Sequence, residues 1–384
     1  MLMSKNFSLR APALAAFVAI ACAGYAAARG ADGQSAPRKS AKELYAAACS
    51  TCHGADGRGA SREHVGFDQP LPDFTDCNFT SREQKADWFA IAHQGGPVRG
   101  FSRLMPAFGD ALAADELELA VAHVRSFCTD RHWPPGELNL PRPLVTEKAF
   151  PEDEAVYSTA VSAEGPGAVS NKIIYEKRFG ARNQFELTAP FGWRKTESAG
   201  APLDGAGAWL GGLGDVAVGA KRVLVHNARS IFSLTGEIVL PTGDSEKGFG
   251  KGTTILEPFV SFGQVLPSEF FFQSQAGVEF PTDTERAQRE GFWRFTLGRS
   301  FASARGFGRR WFPMLEFLGA RELVADEKSQ WDVVPQMQVT LSSRQHVRVN
   351  LGVRLPLTDR GPRATQILFY LLWDWFDGRF FQGW

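Results

Sequence analysis

The chain has 384 residues, of which 44% are hydrophobic, and its formal net charge at pH 7 is zero. This length is enough for two or three domains. The neutral balance leaves no basic footprint for DNA or RNA, and no nucleic-acid motif stands out, so we expect no nucleic-acid partner.

The N-terminus has the features of a secretory signal peptide. Lys5 and Arg10 precede a short apolar run rich in alanine, and a small-residue cleavage site ends at Ala28. The run is too short for a membrane-spanning helix, so residues 1–28 are predicted to be removed on export. Cys22 lies inside this segment. A lipoprotein cysteine is the alternative to cleavage after Ala28, although the preceding residues lack the expected leucine.

Residues 49–53 read Cys-Ser-Thr-Cys-His, which is a C-x-x-C-H motif. Two thiols at this spacing can form thioethers to the vinyl groups of one porphyrin, and the adjacent imidazole then ligates the iron. A disulfide or a thioredoxin-like redox pair is the alternative for C-x-x-C alone. The following His53 favours haem attachment, so we predict one covalent haem c on Cys49 and Cys52.

The sequence around the motif predicts a helix before it and a flexible turn after it. Ser40 is placed to cap a helix that runs directly into Cys49, and Gly54, Gly57 and Gly59 follow the motif. These glycines allow the backbone to pass close to a flat ring. This order resembles the first third of a class I cytochrome c.

A second axial ligand is expected on the opposite haem face. Met105 lies in a Met-Pro-Ala-Phe run, between a helix that ends in glycines at 95 and 96 and a predicted helix over 114–127. This arrangement resembles the sixth-ligand loop of class I cytochromes. The resemblance implies an all-α haem domain over residues 40–132, with His53 and Met105 as axial ligands.

Other residues compete for these roles. Met105 can be read as a gap-filling core residue, and His93 is the leading alternative ligand, ahead of His64 and His123. Arg99 and Arg103 flank the ligand loop, where a guanidinium fork would suit a haem propionate. Most arginines in loops are simply solvated, so we leave both out of the predicted site.

Two cysteines remain after the haem motif, Cys77 and Cys128. In an exported protein such an even remainder favours a disulfide, here one that closes a loop over much of the haem domain. Two buried free thiols are the alternative.

Residues 133–153 are rich in proline, with prolines at positions 134, 135, 141, 143 and 151. Such a stretch cannot form a helix and tends towards an extended, semi-rigid connection. We therefore predict a linker at 133–153 and a second domain over residues 154–384.

Polar and apolar residues alternate with period two along most of the second domain, which predicts β-strands with one apolar face. Twelve such segments are predicted, one of them over Val156 to Ala163, and this even number is typical of a bacterial outer-membrane barrel. The other predicted strands cover residues 173–179, 184–191, 214–226, 230–240, 254–265, 269–280, 292–302, 311–323, 331–341, 347–357 and 366–376.

A soluble sandwich would also alternate, but three features favour a transmembrane barrel. The strands are about ten residues long, which is enough to cross a bilayer when tilted. Their polar faces suit a wet lumen, and the terminal aromatic Trp384 resembles a signal for barrel assembly. Tryptophans also gather near strand ends, as interface girdles require: Trp193, Trp209, Trp293, Trp311, Trp331, Trp373 and Trp375.

Two further stretches carry a resemblance. Residues 212–221 begin Gly-Leu-Gly-Asp, and residues 240–244 read Leu-Pro-Thr-Gly-Asp. Both resemble a family of outer-membrane porins linked to phenol and other aromatic degradation pathways. The whole layout, with a signal, one haem motif and a barrel, resembles the fused cytochrome-porins implicated in extracellular iron oxidation. In those fused proteins the haem segment is smaller and the barrel is larger than the ones predicted here.

Three functions remain open at this stage. The first is a mono-haem electron carrier anchored in the outer-membrane lipid, with its haem domain on the periplasmic side. Its partners would be periplasmic redox carriers and an extracellular donor or acceptor such as iron. The second is a porin for small solutes with an accessory or gating haem domain. The third is an enzyme acting at the haem, which a bound Met105 would disfavour by closing the sixth position.

Overall fold

The computed structural model describes residues 39–68, 70–165, 167–195, 207–301, 310–359 and 363–374. The predicted signal segment 1–28, with its Cys22, lies outside these residues, as do Trp375 and Trp384. Among the helices in these ranges, none is both long enough and apolar enough to cross a bilayer.

The first part of the described chain is helical. A capping box begins α1, because the Glu43 amide donates to Ser40 Oγ at 3.3 Å and the Ser40 amide donates to Glu43 Oε2 at 2.8 Å. Short 3₁₀ turns lie at Gly96–Arg99 and Gly136–Leu138. The helices are α1 Ala41–Ala48, α2 Ser50–His53, α3 Arg62–Val65, α4 Cys77–Thr80, α5 Lys85–Gln94 and α6 Ala114–Ser126.

The helical region has a small apolar core between α1, α5 and α6. Leu117 and Val121 of α6 are buried, as the predicted apolar stripe requires, and Leu44 of α1 is buried as well. A disulfide joins Cys77 of α4 to Cys128, which follows α6. This bond closes a long loop around the core and so restricts the unfolded chain.

Thirteen strands follow, all antiparallel to their neighbours. They are β1 Glu154–Ser162, β2 Ala168–Phe179, β3 Asn183–Lys195, β4 Trp209–Leu213, β5 Ala217–His226, β6 Ser230–Val239, β7 Ile255–Val265, β8 Phe270–Pro281, β9 Glu290–Arg299, β10 Trp311–Glu322, β11 Gln330–Thr340, β12 Val347–Pro356 and β13 Gln366–Asp374.

These strands close a barrel of twelve positions. β1 pairs with both β2 and β13, so the sheet has no free edge there. β4 and β5 both pair with β3, β4 along Phe191–Lys195 and β5 along Asn183–Thr188, so together they occupy one position. The predicted barrel of about twelve strands is confirmed. The predicted strand over 214–226 begins later, at Ala217, because residues 214–216 separate β4 from β5.

The two faces of the barrel differ as the alternation predicts. Outward-facing side chains are apolar and exposed, such as Ile173, Leu297 and Leu351. Inward-facing side chains are polar and buried, such as Gln273 and Asn350. Among the predicted girdle residues, Trp193 and Trp209 are exposed at one end of the barrel and Trp311 is exposed at the other.

The two mouths of the barrel differ in their connections. At the short-turn mouth, β2–β3 and β5–β6 are each joined by three residues, 180–182 and 227–229. At the long-loop mouth, β6 and β7 are joined by residues 240–254. The chain enters β1 and leaves β13 at the short-turn mouth, so the helical region precedes the barrel there.

The proline-rich segment predicted as a linker runs inside the barrel. None of residues 138–154 is exposed. We call residues 138–153 the plug segment. It fills the half of the lumen next to the short-turn mouth. The prediction of a water-filled lumen is therefore wrong for that half. The segment is extended, as its prolines require, and its backbone groups bond to side chains of the barrel wall.

Candidate functional site

The C-x-x-C-H motif lies at the junction of α1 and α2. Cys49 and Cys52 are partly buried and are not joined by a disulfide. The turn after the motif folds back on it, since the Gly59 amide donates to the His53 carbonyl at 2.9 Å and the Ala60 amide donates to the Cys52 carbonyl at 2.8 Å. Both thiols and the imidazole are therefore held within one compact turn.

The His53 ring lies against an aromatic cluster. Its centroid is 4.8 Å from that of Phe74, and Phe74 meets Trp88 of α5 edge-on at 5.7 Å. His53 Nδ1 and Trp88 Nε1 are both buried without a hydrogen-bond partner among the described residues. Burial lowers the pKa of His53, which keeps the imidazole neutral and able to ligate a metal.

The thiols do not resemble a redox-active dithiol pair. Burial, and then the neighbouring Cys52, raises the pKa of the Cys49 thiol to about 11. A thioredoxin-like pair depends on a lowered thiol pKa, because the thiolate is the reactive form. The environment of Cys49 therefore disfavours the alternative interpretation of the motif.

The loop that carries Met105 is tied to the end of α5. The Gly96 amide donates to the Met105 carbonyl at 3.0 Å, and the Gly109 amide donates to the His93 carbonyl at 2.9 Å. A Cβ on Gly95 would lie 2.9 Å from the Met105 carbonyl oxygen, so glycine is needed for this close approach. The helix that contributes Trp88 to the aromatic cluster beside His53 thus also positions Met105.

The competing residues lie in different surroundings. His64 is exposed on α3, and His123 on α6 packs against Tyr45 at 5.1 Å. His93 is partly buried, and its ring would clash with a Cβ on Gly109. Arg99 is buried and bonds to Asp87 Oδ1 at 3.0 Å through its Nε, so its charge is already paired with a protein carboxylate.

Asp87 also connects the helical region to the barrel. Its second oxygen, Oδ2, pairs with Arg310 Nη1 at 3.2 Å, just before β10. All three side chains, Asp87, Arg99 and Arg310, are buried. One carboxylate is therefore shared by two guanidinium groups at this interface, and replacing Asp87 would remove the partner that they share.

A second ionic contact joins the same two regions. His346, in the turn between β11 and β12, lies 3.5 Å from Glu83 Oε1 and 3.5 Å from Asp374 Oδ1. Arg348 adds a pair with Asp374 at 2.9 Å. The helical region is thus docked at the short-turn mouth through buried charges on several strands.

The plug segment is held by the barrel wall at every step. Its backbone amides donate to wall side chains: Leu144 to Gln336 at 2.9 Å, and Glu147 to Gln275 at 3.1 Å. Its carbonyls accept in turn, since Gln273 Nε2 donates to the Pro141 carbonyl at 2.8 Å. These bonds satisfy a backbone that has no sheet or helix partner of its own.

Arg142 is the central charge of the plug segment. Its Nη1 lies 2.7 Å from Glu154 and 2.8 Å from Glu176, and its Nη2 lies 3.1 Å from Glu147. The side chain is buried, and so are Glu154 and Glu176. The sequence pattern places Arg142 in the predicted proline-rich linker. The polar, lumen-facing side chains of the predicted strands were the available signal that a charged segment could be accommodated inside.

The residues around the motif fit a covalent haem. Two free thiols at the required spacing stand beside a neutral, buried imidazole, and the turn that follows them closes on glycines. Trp88 Nε1 is a buried donor without a partner among the described residues, which suits a carboxylate of a bound ring. Tyr45, by contrast, already donates to the Gly54 carbonyl at 2.6 Å.

Two family models match separate parts of the chain. Residues 36–124 match the model described as cytochrome c oxidase, cbb3-type, subunit III. Residues 157–361, more than half of the chain, match the model described as "Putative MetA-pathway of phenol degradation". The chain therefore combines a cytochrome c region, which implies haem c, with a twelve-stranded porin-like barrel.

Solved structures with a similar barrel include an outer membrane channel from Pseudomonas putida F1. It is 12% identical, with 62% of this chain and 100% of that chain covered and a TM-score of 0.44. The KdgM porin in complex with disordered oligogalacturonate is 11% identical, with 58% and 99% covered and a TM-score of 0.37. A comparison with curated protein sequences gave no match.

Proposed function

The chain belongs to the MetA-pathway family of phenol degradation, and from this premise we propose that it is an electron carrier anchored by its barrel in the outer membrane. One haem c would be held through thioethers to Cys49 and Cys52, and His53 and Met105 would ligate its iron. The domains are the haem domain over residues 40–132, the plug-forming linker at 133–153 and the barrel over residues 154–384, after removal of the signal peptide.

A bound haem c supplies one-electron redox chemistry, and the chain's own residues set its conditions. Neutral His53 would offer a lone pair to the iron and Met105 a thioether, a ligand pair that favours electron transfer over reaction at the metal. Phe74 and Trp88 keep water from the His53 side. Trp88 Nε1 would donate a hydrogen bond to a propionate.

We place the haem domain on the periplasmic side. Bacterial barrels carry short turns on the periplasmic side and longer loops outside. The helical region docks at the short-turn mouth, where Asp87 meets Arg310 and Glu83 meets His346. Periplasmic redox carriers would therefore reach the haem directly, and the barrel would contact only lipid along its outward face.

The plug segment favours an electron carrier over a solute channel. The plug segment fills half of the lumen, and it is continuous in sequence with the haem domain. A solute would have to displace Arg142 from Glu154 and Glu176, which would leave buried charges unpaired. An electron needs no such displacement.

The axial ligands are tested by absorption spectroscopy of the purified holoprotein. The weak band at the red edge of the spectrum that arises from iron–sulfur ligation is expected in the wild type and should vanish in Met105→Ala. His93→Ala is the matched control, since His93 lies at the end of α5 beside the same loop, and it should keep the band. A high-spin resting spectrum in the wild type would refute ligation by Met105.

Iron is the extracellular couple that we propose for the opposite side of the membrane. Carboxylates on five neighbouring strands line the long-loop half of the lumen: Glu237, Glu257, Glu279, Glu290 and Glu322. Their charge attracts cations to the β6–β10 side of this half. In proteoliposomes with an oxidised soluble carrier trapped inside, external ferrous iron should reduce that carrier. A carrier that stays oxidised would exclude iron as the partner.

A porin for small solutes remains the second candidate, and the open half of the lumen favours it. A channel would require the plug segment to leave the lumen, with the haem domain acting as its gate. Liposome swelling distinguishes the two candidates. The electron carrier predicts swelling no faster than in empty liposomes, whereas a porin predicts rapid swelling with a small sugar.

A further inference from the structure

A cavity of about 940 Å³ opens at the long-loop mouth, far from the haem motif. Its wall comes from the ends of β1, β2 and β3 and from the loop between β6 and β7. Lys172, Arg194 and Lys195 line it together with the carboxylate of Glu164, and Arg363, which also lines it, is paired with Asp332. This excess of positive charge makes the cavity attractive to an anion.

The two sequence stretches that resemble the porin family hold in place the loop that lines this cavity with Gly248 and Phe249. Asp215 accepts hydrogen bonds from the Gly243 amide at 2.9 Å and from the Lys251 amide at 2.6 Å. Thr242 Oγ1 donates to the Gly214 carbonyl at 3.0 Å. The loop over residues 240–254 is thereby folded back onto the break between β4 and β5.

This folded loop fixes the position of Arg194. Gly248 has a φ of +74°, and a Cβ at that position would overlap Arg194 Nη1, so the guanidinium lies directly against the loop backbone. The side chains of Arg194 and Lys172 are exposed to the cavity, and neither forms a hydrogen bond or a close ion pair with another described residue, although Lys172 also interacts electrostatically with Glu237 and Glu257. Phe249, partly exposed, packs its ring on Gly212 and adds an apolar surface.

We propose that this cavity binds a small organic carboxylate. The guanidinium of Arg194 offers a planar fork that matches a carboxylate, and Lys172 adds a second positive charge from β2. Phe249 contacts the apolar body of the ligand. The plug segment closes the lumen below, so the cavity holds its ligand instead of passing it on. This site does not rest on the haem or on its ligands.

Calorimetric titration of the full-length holoprotein in detergent tests the proposal, with hexanoate as the probe and hexanamide as its neutral counterpart. Hexanoate should bind about tenfold more tightly than hexanamide, because the amide lacks the charge that Arg194 and Lys172 recognise. Arg194→Ala combined with Lys172→Ala should weaken hexanoate binding about tenfold. Lys328→Ala, which removes a charge from the turn between β10 and β11, should leave it unchanged.

A pair of glycine variants separates the site from general damage to the barrel. Gly248→Ala should displace Arg194 and weaken hexanoate binding. Gly180→Ala strains a similar backbone, with a φ of +64°, but has no heavy atom within 4 Å of the new Cβ, so it should not. The heat-resistant gel mobility of each variant reports folding. Equal binding of hexanoate and hexanamide, or no binding of hexanoate to the wild type, would overturn the proposal.

Discussion

The helical region and the filled half of the lumen are stabilised in opposite ways. The helical region has an apolar core around Tyr45, Phe74 and Val124, closed by a disulfide. The filled half of the lumen is held by charge pairs around Arg142 and by side chains that bond to a bare backbone. The first region places its motif beside aromatic rings, whereas the second uses polar groups to hold the plug segment.

The difference indicates that the helical region binds a ligand and that the plug segment closes the lumen. His53 Nδ1 and Trp88 Nε1 have no hydrogen-bond partner among the described residues. Pro141, Leu144 and Glu147 all bond through their backbones to the barrel wall. We therefore expect cofactor chemistry in the helical region and a mechanical seal in the lumen.

Removing the charge of Arg142, at the centre of the plug segment, should have the largest effect on stability. Arg142→Met leaves Glu154 and Glu176 buried without their cation, which costs about 3–5 kcal/mol. We expect a lower unfolding midpoint in urea and a higher ion conductance in planar bilayers, because the plug segment loses its anchor. Arg131→Met, at an exposed position, is the control. Unchanged conductance and stability in Arg142→Met would show that the seal does not depend on this charge.

The disulfide is expected to stabilise the helical region. Replacing both Cys77 and Cys128 with Ser removes the closed loop and should lower the stability of this region by about 2–4 kcal/mol. Proteolysis under partly denaturing conditions measures the loss. Reducing agent should make the wild type as sensitive as the variant and should not affect the variant further. A wild type that reducing agent does not sensitise would contradict the expected role of the bond.

Removing the charge of Asp87, at the interface between the two regions, should have a smaller effect on stability. Asp87→Asn keeps the shape of the side chain but removes the charge that Arg99 and Arg310 share, which we expect to cost about 2 kcal/mol. Hydrogen exchange should become faster in α5 and at the start of β10. Asp110→Asn, at an exposed position, serves as the control. Docking by apolar contacts alone would instead leave exchange in Asp87→Asn unchanged.

The smallest expected effect concerns acid stability before haem attachment. Because burial lowers the pKa of His53, the folded apoprotein disfavours the protonated imidazole that the unfolded chain accepts. The stability from neutral His53 is therefore complete above the ordinary histidine pKa of about 6.5 and is lost as pH falls through the lowered value. His53→Gln should flatten this dependence in urea unfolding below about pH 6.5. An equally steep loss in the variant would exclude His53 as its source.

The sequence predicted the elements well where a single rule decides them. The alternation that predicted a strand over 347–357 corresponds to β12, Val347–Pro356, because each inward position meets the lumen and each outward one is apolar. The helix before Cys49 was readable from its cap at Ser40. These features depend on neighbours in the sequence.

The plug segment was not predictable in the same way. Its prolines indicated an extended chain, but nothing in its sequence indicated that its charges are buried, since their partners lie on β1 and β2. Arg99 posed the same problem: a loop arginine beside a ligand loop gave no sign that Asp87 would bury it. Long-range charge pairing has no local pattern from which it could be read.

The most direct test of an anchored electron carrier is stopped-flow absorbance of the haem in the full-length holoprotein, mixed with a reduced soluble blue-copper protein. For an anchored electron carrier, the reduced-haem band should appear at a rate that rises with the concentration of the copper protein. A haem that stays oxidised, although a small-molecule reductant can reduce it, would show that the protein does not exchange electrons with a soluble carrier.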